Sequence, residues 1–182
     1  MTINRRHAIK QFLFVSAAVA LIPSCVQPDN KQKASVILKK LSIDPEQEKL
    51  LAELSESIIP ASDTPGAKDI SAHLFVLKMM DDCASKEDQQ KFMKGMEAFT
   101  TQFITSSAGK SFIESTPEQR VAFLQQLETA TDKNTDQNNF YHTVKRLTIQ
   151  AYTSSKFYLT KINVYKLIPG RYHGCVPVKA SA

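Results

Sequence analysis

Three cysteines carry most of the covalent chemistry open to this sequence. Cys25 follows Ile22-Pro23-Ser24, and a small residue before cysteine is the arrangement of a bacterial lipobox, whose thiol receives a diacylglyceryl group. Two or more acyl chains would then hold the chain firmly to a membrane, since one chain alone is marginal. The alternative is an ordinary leader with an incidental cysteine. With Cys25 acylated, Cys83 and Cys175 are the thiols that remain. In an oxidising compartment they have a single intramolecular pairing open to them, which would tie the end of the second helix to the C-terminal loop. The alternative there is two separate buried thiols. The other reactive side chains point to less. His73, His142 and His173 have no metal partner at helical spacing and read as structural or surface residues. Asp81 and Asp82 are adjacent, so on a helix they diverge by about 100° and cannot act as a pair; a solvated helix end accounts for them.

The phosphate-cradling glycine loop, HExxH, CxxC and Cys-x-x-Cys-His motifs are all missing, and five glycines in the whole chain argue against a dinucleotide fold. No catalytic, cofactor-binding or metal residue is assigned to this chain.

The elements that deliver Cys25 to its compartment come first. Asn4-Arg5-Arg6-His7-Ala8-Ile9-Lys10 precedes an apolar run from Phe12 to Ile22 that Pro23 ends. This is a three-part signal peptide over 1–24, and Arg5 and Arg6 have the pattern of the twin-arginine export signal. The run is about half of the roughly 20 residues a spanning helix needs. Residues 25–43 read as a tether, polar from Val26 to Ala34 and containing Pro28, and 44–182 as one helical domain. The expected location is the periplasm, with a lipid anchor in the membrane. Processing removes three of the 23 Lys and Arg and none of the 18 Asp and Glu, so the net charge of +5 falls to +2. With no basic run left in the mature part, nucleic-acid binding is not expected.

Within the domain the apolar spacing is helical, so the fold class is all-α, a single bundle. Asp44-Pro45 caps a helix over about 45–59 with Leu50, Leu51, Leu54 and Ile58 on one face. A second helix is expected over Ile70–Cys83, carrying Leu74, Phe75, Leu77 and Met79. Ser85 and Asp88 form a capping box for a third, in which Phe92, Met96, Phe99 and Phe103 recur at helical spacing. Thr116-Pro117 with Gln119 opens a fourth with the stripe Val121, Leu124 and Leu127. After the polar linker Thr131–Asn138, a fifth begins near Asn139 with Phe140, Val144, Leu147 and Ala151 on one face, continuing less regularly toward Tyr158. Beyond Lys166 the prolines and glycines exclude regular helix.

Two Pro-Gly segments remain. In Ile58-Ile59-Pro60-Ala61-Ser62-Asp63-Thr64-Pro65-Gly66-Ala67, Pro65 and Gly66 suit the second and third positions of a type II turn, where glycine takes positive φ; Ile168-Pro169-Gly170-Arg171-Tyr172-His173-Gly174-Cys175 repeats the pattern. Each is open to a purely structural reading, with Asp63 capping its own turn and Arg171 paired internally. On the other reading Asp63, Pro65, Gly66, Pro169, Gly170, Arg171 and Tyr172 form a partner-binding surface, because aromatic and arginine side chains dominate desolvated interfaces.

These segments, the twin-arginine start ending in a small residue and cysteine, and Asp82-Cys83 together resemble the gluconate 2-dehydrogenase subunit 3 family. The resemblance implies an all-helical accessory subunit, not catalytic by itself, that assists assembly, stability and export of a large GMC-type flavoprotein. FAD would belong to that large subunit, which oxidises a sugar or polyol, and a cytochrome c subunit is a further partner in some such complexes. The alternative is a stand-alone helical surface lipoprotein acting as a binding module.

Overall fold

Asp44 and Pro45 begin the first helix as their side chains dictate. In the computed structural model, which describes residues 35–130 and 135–163 together with Gly170 and Cys175, α1 spans Pro45–Ile58. The Asp44 carboxylate accepts the Gln47 N–H at 2.8 Å and the Gln47 side chain accepts the Asp44 N–H at 3.0 Å. Two orphan donors of the first turn are satisfied reciprocally, and proline at the first helical position forfeits nothing. Leu50, Leu51 and Leu54 face the core, while Ile58 is half-buried.

The second helix, α2 (Ala72–Asp82), is shorter than expected. Residues 67–71 form turns, ending at Ser71 with φ 56°, a left-handed conformation uncommon for a non-glycine residue. Of the apolar residues expected on this helix, Leu77 is buried with Ala72, Val76 and Met80, whereas Leu74, Phe75 and Met79 are half-buried. The helix packs against both α1 and the last helix, so apolar residues occupy more than one stripe and the phase is ambiguous in sequence.

Ser85 caps α3 (Lys86–Ser106), accepting the Asp88 N–H at 3.1 Å. The Asp88 carboxylate takes the Ser85 hydroxyl at 2.9 Å, so the box closes through the side chain and not through the Ser85 backbone. Phe92, Met96, Phe99 and Phe103 are all buried as expected. Three of these rings join Phe112, Phe123 and Phe140 in a cluster with centroids 4.9 to 5.5 Å apart in tilted and edge-on contacts, the arrangements aromatic quadrupoles favour.

Thr116 and Gln119 form the expected capping box of α4 (Pro117–Thr129). Leu124 and Leu127 are buried, but Val121 is 40% exposed and its place in the core is taken by Phe123. The last helix, α5 (Asp136–Thr153), starts three residues before the expected Asn139 and buries Phe140, Val144, Leu147 and Ala151. Ser154 is its C-cap, and a π-helical turn, Tyr158–Ile162, follows. The described elements are all helical.

α3 and α5 form the most extensive helix pair. At their crossing a β-carbon on Gly95 would lie 2.6 Å from both the Asp136 carbonyl oxygen and Phe140 Cβ. Glycine inside a helix costs about 1 kcal/mol relative to alanine. Here that cost admits the backbone of the neighbouring helix.

One stretch assigned to the tether is part of the bundle. Residues 35–43 form a strap across α1 and α2, with Val36, Leu38 and Leu41 packed against the core and Ile43 buried. The Ser35 N–H donates to Glu48 at 2.6 Å, and the Lys39, Lys40 and Leu41 N–H groups donate to Asp81 at 2.8, 2.7 and 2.8 Å. Asp81 is therefore fully buried and is not part of a solvated helix end; only Asp82 fits that expectation, exposed and paired with Lys78 at 3.2 Å.

Candidate functional site

The loop from Ile59 to Ser71 joins α1 to α2 and contains the first Pro-Gly segment. Its organiser is Glu56, near the end of α1. That carboxylate accepts the Ala61 N–H at 2.8 Å and the Lys68 N–H at 2.9 Å, so both limbs of the loop close on one anion. Asp69 accepts the Gly66 N–H at 2.9 Å, and the Ala67 N–H reaches back to the Ile59 carbonyl at 2.9 Å. From α5, the Tyr152 hydroxyl donates to the Pro65 carbonyl at 3.0 Å. Tyr152 also meets Phe157 and Tyr158 edge-on, so an aromatic group backs the loop.

Gly66 is required for a reason other than the expected one. Its φ is not positive, and among the described glycines only Gly109 is in that region. A β-carbon on Gly66 would instead lie 2.6 Å from the Ala61 nitrogen and 2.7 Å from both Glu56 carboxylate oxygens. Glycine is needed so that the loop can close on Glu56. Gly66→Ala should therefore lower stability by about 1 to 3 kcal/mol, the range for overpacking a filled site, and raise the protease sensitivity of 60–68 in the folded protein. Unchanged urea unfolding would remove this role. Asp63 is exposed at the tip of the bend, while Ser62, Thr64, Glu56 and Asp69 hold the turn.

A charged network links this loop to α4. Glu53 pairs with Lys68 at 2.5 Å and with Arg120 at 2.6 Å. Arg120, 8% exposed, also donates to the Phe112 carbonyl at 2.8 Å and the Ile113 carbonyl at 2.6 Å, and lies 5.3 Å from the centroid of the Phe112 ring. Burial works to raise the Glu53 pKa, but the hydrogen bonds and charges of Lys68 and Arg120 outweigh it and hold the carboxyl below its ordinary value. Asp81 behaves alike: burial is opposed by the three strap N–H groups and by Lys78, and the net direction is down.

Elsewhere, Glu128 pairs with Lys145 and is held down chiefly by that contact, and burial together with Glu128 raises the Tyr141 phenol. Burial lowers the His73 pKa against the pull of Glu48, 4.0 Å away. No group of three His, Cys, Asp or Glu among the described residues could hold a metal ion. A groove of about 530 Å³ between α2, α3 and α5 has Met80, Phe92, Phe140 and Leu147 below and Cys83, Lys91 and Arg146 at its rim.

Of the remaining residues singled out in the sequence, Arg5, Arg6, Cys25, Pro169, Arg171 and Tyr172 lie outside the described residues, as does His173. Gly170 is exposed, with nothing within 4 Å of where a β-carbon would stand. Cys83 and Cys175 are free thiols and both are exposed, so this structure holds neither the expected disulfide nor the alternative pair of buried thiols. Cys83 is the C-cap of α2, two residues beyond the buried Asp81.

Sequence reasoning missed Arg120 and Glu56 and put Asp81 at a solvated helix end. No described helix is long and apolar enough to cross a membrane. No curated protein and no solved structure matches the chain. The family model described as gluconate 2-dehydrogenase subunit 3 matches residues 45–170.

Proposed function

Since the chain belongs to the gluconate 2-dehydrogenase subunit 3 family, we propose that it is the non-catalytic accessory subunit of a membrane-associated flavin-dependent sugar or polyol dehydrogenase. The observation that carries this reading is the extent of the match, which takes in all five α-helices of the described residues and the whole loop from Ile59 to Ser71. The large subunit would supply FAD and the catalytic base. This chain would bind it through the Pro-Gly loops, stabilise it and carry it through twin-arginine export, with Cys25 acylated in the periplasm.

The physical support is a loop whose shape is set from below. Glu56, Asp69 and Tyr152 consume its inward-facing main-chain groups, leaving Asp63 free at the tip. A partner then meets a preorganised surface, and less entropy is lost on binding.

Detergent extraction of membranes holding the tagged chain tests the proposal. The expected result is co-purification of a large subunit with flavin absorbance, and Cys25→Ala should move both proteins to the soluble fraction. A chain that purifies alone from membranes that also contain a large flavoprotein of this type would favour the stand-alone lipoprotein. Unchanged membrane retention of a normally cleaved Cys25→Ala variant would remove the anchor.

A further inference from the structure

The strap presents one apolar residue outward. Val36 and Leu38 pack inward, and between them Ile37 is 86% exposed, far more than any other large hydrophobic residue described. A single exposed isoleucine is ordinary on a protein surface. Ile37 differs in how its backbone is held and in what surrounds it.

The strap is clamped on both sides of Ile37, by Glu48 at Ser35 and by Asp81 at Lys39, Lys40 and Leu41. The Lys78 ammonium reaches the Ile37 carbonyl at 3.4 Å. The charges around it are predominantly positive. Lys39 and Lys40 are exposed, Lys78 is balanced by Asp82, and the two acidic groups beneath the strap are buried and engaged with its N–H groups. In sequence Lys31 and Lys33 precede it. The chain from Cys25 to Ile37 spans at most about 40 Å even when fully extended, a length that lets the strap reach a bilayer holding an acyl group on Cys25.

We infer that the strap is a membrane-contact element, with Ile37 entering the interfacial layer of an anionic bilayer and Lys39 and Lys40 meeting lipid phosphates. The inference rests on the reading of Cys25 as the acylated residue. An apolar side chain flanked by lysines, whose stems are apolar and whose ammonium groups stay in water, matches the headgroup boundary. Lysines near an anionic surface each add attraction, and this falls with salt. The clamps would then fix the orientation of the bundle, with the α1–α2 side under the strap toward the lipid.

The chain contains no tryptophan, so Ile37→Trp gives a single, selectively excitable tryptophan in the full-length lipoprotein. Val121→Trp, at another exposed apolar position on α4, is the comparison. In vesicles of phosphatidylglycerol and phosphatidylcholine, the Ile37→Trp emission should shift to the blue and be quenched by brominated lipid, while Val121→Trp remains solvent-like. Lys39→Glu with Lys40→Glu, or phosphatidylcholine alone, should remove most of the quenching. Flotation reads the anchor separately. A chain that floats with vesicles but keeps a solvent-like Ile37→Trp emission overturns the inference and leaves the anchor intact. If the purified chain is not acylated it is added to the same anionic vesicles, and absence of a blue shift there overturns the inference as well. Equal quenching in neutral vesicles would overturn the role of the lysines.

Discussion

Asp81→Ala should destabilise the protein by about 3 kcal/mol and release the strap. Three N–H groups donate to this one buried carboxylate, and a hydrogen bond to a charged group is worth about 1.5 to 3 kcal/mol. The full sum is not expected, because a released strap recovers hydrogen bonds to water. The strap would also withdraw Val36, Leu38 and Leu41 from the core. Trypsin should then cut at Lys39 and Lys40 in protein whose helical circular dichroism is largely retained. Asp81→Asn should cost less, since one carbonyl oxygen can still serve the Lys40 and Leu41 N–H groups that now share Oδ1. The folded-state pKa of Asp81 lies below its ordinary value. Its contribution is therefore complete above the unfolded pKa of about 3.9 and is lost as pH falls through the folded value. A strap as trypsin-resistant in Asp81→Ala as in wild type would rule out this clasp.

Arg120→Ala should have an effect of similar size, about 3 kcal/mol, the low end for breaking a buried ion pair. The guanidinium serves Glu53 and the Phe112 and Ile113 carbonyls at once. Its loss leaves two carbonyls without a donor and Glu53 with Lys68 alone. Arg120→Lys should recover little, since one ammonium cannot reproduce a planar fork with several fixed donors. Glu53 also titrates below its ordinary value, so its pairing stabilises the fold above about pH 4.3 and weakens as pH falls further. Thermal midpoints from pH 7 to pH 3 should fall less steeply in Arg120→Ala than in wild type across that acid range. Parallel curves would mean that Arg120 does not set the Glu53 ionisation.

The helices were legible because their signals are local. Asp44-Pro45-Glu46-Gln47 and Thr116-Pro117-Glu118-Gln119 satisfy their own first turns, and the Phe92, Met96, Phe99 and Phe103 repeat needs only one partner surface. Where an element is covered on two sides, as α2 is, periodicity no longer selects the inward face. Val121 shows the same limit in α4, where Phe123 takes the buried position.

The polar interior was largely illegible. Asp81 and Asp82 have the same charge, and adjacency says that their directions differ but not which of them turns inward. The partners of Asp81 are backbone N–H groups, which leave no trace in the side chains of residues 39–41. Arg120 follows a capped first turn and would pass for a surface residue without the Phe112 and Ile113 carbonyls beside it. Gly66 was recognisable as necessary, although the reason is the Glu56 carboxylate and not a backbone angle.

The clasp on the strap grips main-chain groups, so it is indifferent to the side chains that pass through it. Leu41 is constrained separately by the core, but at positions 39 and 40 only proline is forbidden by the grip, since proline lacks the donor. These two positions can therefore change with the outer surroundings at almost no penalty to folding. A library randomised at 39 and 40 and sorted for folded protein should tolerate nearly every residue, and its survivors should separate only when sorted again for what the outer surface touches.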